Sequence, residues 1–119
     1  MEIKEIANRL VDLCRRGEWS KAQKELYDHD AVSIEPYSTP GFEKEVKGLD
    51  ALEEKGRKWD EMVEEMHGLE VSEPVIADNS FACTLRMDVT IKEKGRMVMT
   101  ELCVYQVKDG EIISEQFFL

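Results

Sequence analysis

Long apolar runs are missing from this chain of 119 residues. The longest stretch free of polar side chains is only a few residues, so no segment is expected to span a bilayer. Positive charge is also scarce: 16 Lys and Arg stand against 26 Asp and Glu, a net charge of −10. That balance argues against nucleic acid and anionic membrane surfaces as partners, because both recruit basic patches. The opening residues Met1-Glu2-Ile3-Lys4-Glu5 lack the apolar core of a signal peptide. The cysteines, Cys14, Cys83 and Cys103, are too few and too far apart for a disulfide framework or a CxxC zinc site. All three sit in apolar patterns, as small buried hydrophobes of a reducing cytoplasm do. Repeats, linkers and low-complexity stretches are absent, and no cofactor or metal is called for.

What is present is enough apolar residue, 42% of the chain, to bury one core, so a single domain over residues 1–119 is expected. Ile3, Ile6, Ala7, Leu10, Leu13 and Cys14 recur at helical spacing, and Gly17 stops that helix after Arg15 and Arg16. A second helix fits Trp19 to Tyr27, ended by Asp28-His29-Asp30. Ala31 to Glu35 then reads as a short strand closed by Pro36, and Tyr37 to Gly48 as a loop. Asp50 and Glu53 form a capping pair that opens a third helix, expected to run to about His67 and stop at Gly68. Its apolar stripe is Leu52, Trp59, Met62, Val63 and Met66.

After Gly68 the period changes from helical to alternating. Leu69 to Ile76 is a strand interrupted by Pro74. Phe81, Cys83, Leu85, Met87, Val89 and Ile91 alternate with polar residues, which gives a long strand with one dry face. A turn at Glu93-Lys94-Gly95-Arg96 leads to a strand from Met97 to Val107 that is apolar on both faces. A second turn, Lys108-Asp109-Gly110, leads to a last strand from Glu111 to Leu119. Three helices followed by an antiparallel meander define an α+β layout, with the helices covering the concave face of a curved sheet of roughly five strands. The second apolar face of the Met97–Val107 strand predicts a homodimer through the convex sheet face.

Four passages carry a resemblance. They are Cys14-Arg15-Arg16-Gly17-Glu18-Trp19, Tyr27-Asp28-His29-Asp30-Ala31-Val32-Ser33-Ile34-Glu35-Pro36, Lys47-Gly48-Leu49-Asp50-Ala51-Leu52, and Val104 to Ile113 across the last hairpin. In this order and spacing the chain resembles the nuclear transport factor 2-like superfamily, in its SnoaL-like and ketosteroid isomerase-like branch. The resemblance implies a cone-shaped, cystatin-like α+β barrel, three helices on a strongly curved, mostly antiparallel sheet. It fixes no activity, since one fold hosts many.

By the same resemblance Glu35 occupies the place of the isomerases' proton-abstracting carboxylate, a role that needs a pKa raised by an apolar pocket. The alternative is a solvated glutamate at a strand end. The tyrosine and aspartate that polarise the substrate oxygen in those isomerases correspond approximately to Leu10 and Cys103, neither a good donor. Steroid isomerisation by that mechanism is therefore not expected. If Cys103 faces the cone, the period of two places Met99, Glu101 and Tyr105 beside it. The resemblance directs Glu115 inward as well. Glu35, Glu101 and Glu115 are then the candidate catalytic groups, with Tyr37, Trp59 and Tyr105 shaping the site for a small apolar molecule. Alternatively, Glu101 or Glu115 pairs with Arg86 or another base across the sheet, purely for structure. Asp28-His29-Asp30 fits a polar cap better than a metal site, and His67 fits a helix C-terminus. Two functions compete: a cofactor-free isomerase, cyclase or lyase acting on a small carbonyl compound, and a non-catalytic binding or assembly module.

Overall fold

The computed structural model describes residues 1–119. Helix α1, Ile3–Arg15, buries Ile6, Ala7, Leu10, Val11, Leu13 and Cys14, and a reciprocal pair of Glu2 and Glu5 caps its start. Gly17 ends it at φ 71°, a left-handed conformation that glycine adopts without strain. Helix α2, Trp19–Leu26, runs directly into strand β1, Tyr27–Ile34. Strand β2, Glu45–Lys47, precedes helix α3, Leu49–Met62. Strands β3, Val63–Val71, β4, Val75–Ile76, β5, Ser80–Ile91, β6, Gly95–Lys108, and β7, Glu111–Phe118, complete the chain.

The strands form one curved sheet in the order β2-β1-β7-β6-β5-β3, with β4 beside β5. Every pairing is antiparallel except β1 with β7. That exception sets Ser33 beside Glu115, 82 residues away in sequence. Strands β5 and β6 pair through Phe81 with Tyr105, Cys83 with Cys103, Leu85 with Glu101 and Met87 with Met99. These rungs share the face turned toward the helices. The Phe81 and Tyr105 rings stack with centroids 4.8 Å apart. The thiols of Cys14, Cys83 and Cys103 are all free and buried.

The expected α+β architecture is therefore present, with several local corrections. Helix α3 stops at Met62, five residues short of His67. From Val63 the backbone pairs with β5, at Ile91, Thr90 and Val89 in turn. Residues whose spacing suits a helix are held extended by a long neighbouring strand, and tertiary pairing overrides local pattern. His67 is consequently a strand residue, held between Glu65 and Thr90. The cap of α3 is Gly48 at φ 95°, and Asp50 lies in the first turn. Strand β1 begins at Tyr27, so Asp28-His29-Asp30 belongs to a strand, where the register with β7 shifts and Asp28 accepts the Asp30 N–H. The loop after Pro36 contains β2, and Pro74 separates two strands rather than interrupting one. No helix is long and apolar enough to cross a membrane.

Candidate functional site

Between the helices and the inner sheet face lies a cavity of ≈340 Å³. Its apolar walls come from Leu10 and Cys14 of α1, Ala22 of α2, Leu52, Trp59 and Met62 of α3, and Leu85, Met87, Met97 and Met99 of the sheet. Tyr37, Thr39 and Phe42 line it from the segment between β1 and β2, which Lys58 ties to α3 by donating to the Gly41 carbonyl. All six residues singled out in the sequence, Glu35, Glu101, Glu115, Tyr37, Trp59 and Tyr105, line this one cavity.

The polar groups form a chain. Lys55 Nζ lies 2.5 Å from Glu35 Oε1 and donates to Ser33 Oγ at 2.7 Å. The Ser33 hydroxyl in turn donates to Glu115 Oε2 at 2.6 Å, and the Tyr27 hydroxyl donates to Glu115 Oε1. The ammonium also lies over the Phe117 ring, 5.3 Å from its centroid. Each link follows from the sheet: alternation turns Ala31, Ser33 and Glu35 inward, and the parallel register brings Glu115 alongside Ser33. Lys55 reaches them from the inner side of α3.

Glu35 therefore sits in an ion pair. Its side chain is 24% exposed and that of Lys55 16%, so the pair is largely withdrawn from water. Glu115, fully enclosed, has its carboxyl pushed up by burial and by Glu35, against the pull of Ser33, Tyr27 and Lys55. Glu101 stands apart because it makes no hydrogen bond or ion pair with any side chain. Arg86 lies on the outer face against Glu70, not near Glu101. Burial, then repulsion from Glu35 and Glu115, raises the Glu101 carboxyl to about 7, with Lys55 opposing the rise. Tyr27 and Tyr105 are raised by burial and remain neutral phenols at ordinary pH.

The sequence brings forward the three carboxylates but not the cation that organises them. Lys55 lies in a run of charged helix residues, Glu53, Glu54, Lys55, Arg57 and Lys58, which looks like a solvated face. Only its spacing of three and four from Leu52 and Trp59 marks it as inward. Ser33 could have been found from the alternation that ends in Glu35. Tyr27 ends the helical pattern that begins at Trp19, which conceals its place on a strand. Leu10 lines the cavity and Cys103 faces Cys83 across the sheet, so neither supplies a polar donor to it.

An α+β cone with three helices over a curved mixed sheet, closed around a partly acidic cavity, places the chain among the nuclear transport factor 2-like and cystatin-like folds. The SnoaL-like domain family matches residues 1–119, and the chain belongs to that family. A candidate SnoaL-like polyketide cyclase from Mesorhizobium loti is 33% identical, with full coverage of both chains and a TM-score of 0.92. A nuclear transport factor 2-like protein of unknown function from Burkholderia pseudomallei shares the fold at 13% identity, over 100% of this chain and 92% of that one, TM-score 0.82. A candidate isomerase from Bacillus subtilis does so at 21% identity, over 95% and 82%, TM-score 0.69. Among curated proteins none matches the sequence.

Proposed function

We propose that the cavity is the active site of a cofactor-free isomerase, cyclase or lyase that moves a proton on a small apolar carbonyl compound. One observation carries this reading: an unpartnered carboxyl, Glu101, lies in an apolar cavity and titrates near neutrality. A group so tuned exchanges protons in both directions at working pH. Glu101 takes the proton from the carbon next to the carbonyl and returns it elsewhere. Glu35, Lys55, Ser33 and Glu115 fix the charge around it, while Trp59, Tyr37 and Tyr105 hold the apolar body. The test is substrate-independent. A panel of small apolar ketones is incubated in D2O with the protein, and carbon-bound deuterium is followed by mass spectrometry. Exchange that depends on Glu101 supports the reading. Ketones and their imines that bind without any exchange would leave the cone as a non-catalytic ligand holder.

We also propose a homodimer through the outer sheet face. Leu102 and Phe118 face each other in register there, 43% and 44% exposed, with Val98 nearby at 53%. A second copy of the chain would cover this patch, which monomers seldom leave in water. Light scattering is expected to report twice 13.8 kDa for the wild type and a single chain for Leu102→Lys. A monomeric wild type at micromolar concentration would count against the dimer.

A further inference from the structure

Proton abstraction from carbon leaves an electron pair in the substrate, and the charge around the cavity decides which kind of acceptor suits it. Three carboxyls, Glu35, Glu101 and Glu115, line the cavity with two ammonium groups, Lys55 among the carboxyls and Lys94 in the turn between β5 and β6. The Lys55 ammonium is already engaged by Glu35, Ser33 and the Phe117 ring. A neutral hydroxyl such as that of Tyr105 can hydrogen-bond an oxygen but cannot offset its charge. With Glu35 already balanced by Lys55, the ionised Glu101 is left without a counter-ion, and it opposes the growth of negative charge on a substrate and favours a positive one. The same wall shows how it accommodates a cation, since Lys55 lies between a carboxylate and an aromatic face. Glu101 has no comparable partner, and the thioethers and aromatic rings near it are soft, polarisable surfaces.

We infer that the substrate carries a basic nitrogen that Glu101 receives, conjugated with the reacting carbon, so that the species acted on is a protonated imine or its vinylogue rather than a bare ketone. This rests on the proton-transfer reading of the same cavity. The step balances without an oxidant or a cofactor. A proton leaves the carbon next to C=N⁺ for one oxygen of the Glu101 carboxylate, whose other oxygen holds the N–H, the C–H electrons become a C=C bond, and the C=N⁺ π electrons settle on nitrogen. A neutral enamine results, and reprotonation at another carbon completes an isomerisation. Positive charge is consumed in the step, so no oxyanion donor is required.

Recognition of an ammonium by Glu101 is linked to protons. The charged groups facing Glu101 are Glu35, Lys55 and Glu115, with Lys94 also lining the cavity and the phenols of Tyr27 and Tyr105 neutral. Below about 7 the free site holds a proton on Glu101 that the amine must displace.

The experiment has two arms. In the first, a phenylalkyl amine, the matching methyl ketone and the matching carboxylate are titrated calorimetrically at about pH 6 and about pH 8. The amine is expected to bind most tightly, gaining about tenfold between the lower and the higher pH, and Glu101→Gln to lose both the preference and the gain. Should that variant fail to fold, the pH dependence of the wild type decides. Equal affinity for ketone and amine, or tighter binding of the carboxylate, overturns the inference. In the second arm, deuterium uptake from D2O is compared for a cyclic aryl imine and the ketone. Faster uptake by the imine supports the inference, and uptake by the ketone alone overturns it while sparing the proton-transfer reading. Amine preference with no uptake by either compound supports nitrogen recognition and sinks catalysis.

Discussion

Glu101→Gln is expected to raise the melting temperature at about pH 8, to leave it unchanged near pH 4, and to abolish proton exchange. The raised carboxyl fixes the sign. In the unfolded chain Glu101 releases its proton near the ordinary carboxylate value, whereas in the folded state it holds it up to about 7. The native state binds the extra proton, so stability falls as pH climbs past the unfolded value, and the whole cost is present above about 7. Glutamine keeps the shape and never ionises. It should recover about 2 kcal/mol at the higher pH, roughly 5–10 °C for a domain of this size. In the proposed reaction the same change removes the proton carrier, for which losses of about 10²–10⁴ in rate are usual. Melting curves and deuterium exchange on one preparation check both halves. A variant less stable than wild type at the higher pH would mean that Glu101 has a favourable partner.

Lys55→Met should act in the opposite direction. Methionine keeps most of the apolar stem but leaves Glu35 without its counter-ion and Ser33 without its donor. Removing one member of a pair this far from water costs about 3 kcal/mol, roughly 10 °C in melting temperature. Lys55 is also the one neighbour that pulls the Glu101 carboxyl down, so its loss moves that group further above about 7. A pH profile of any turnover should shift upward accordingly. Adding Glu35→Gln to Lys55→Met should restore part of the lost stability, because the stranded carboxylate is then gone. An unchanged melting temperature for the single variant would show that water replaces the ammonium without cost.

The parts of this molecule that were legible from its residues are those whose pattern is enforced by one neighbour only. Strand β5 announces itself because Phe81, Cys83, Met87, Val89 and Ile91 are buried on one face while Thr84 and Arg86 are exposed on the other. Helix α1 is legible for the corresponding reason on a helical period. The boundary between α3 and β3 was not legible. Met62, Val63 and Met66 satisfy a helical stripe, and what extends the chain at Val63 is the pairing partner around Ile91, more than twenty residues later. The candidate site divides similarly. Glu35, Glu101 and Glu115 can be placed by alternation and resemblance, and all reach the cavity. Their partnership could not be foreseen, because it depends on Lys55 reaching across from a helix and on a register between the first and seventh strands. Glu35 drew attention as the base, yet its ammonium partner leaves Glu101 as the open carboxyl.

The parallel pairing of β1 with β7 has a kinetic side. Ser33 and Glu115 are separated by 82 residues, so the link between Lys55 and the buried carboxyl closes a loop that contains most of the chain. Contacts of such long range are costly in chain entropy and slow to form, whereas the β5–β6–β7 hairpins can assemble from local sequence. On a ribosome the meander's last strand must emerge before the polar end of the cavity exists at all. Until then Ser33 and Lys55 have no Glu115 to engage, and the acidic chamber cannot acquire its proton-holding character. The polar end of the cavity is thus complete only when the fold is, and a partly folded chain exposes apolar surface without the link from Lys55 through Ser33 to Glu115.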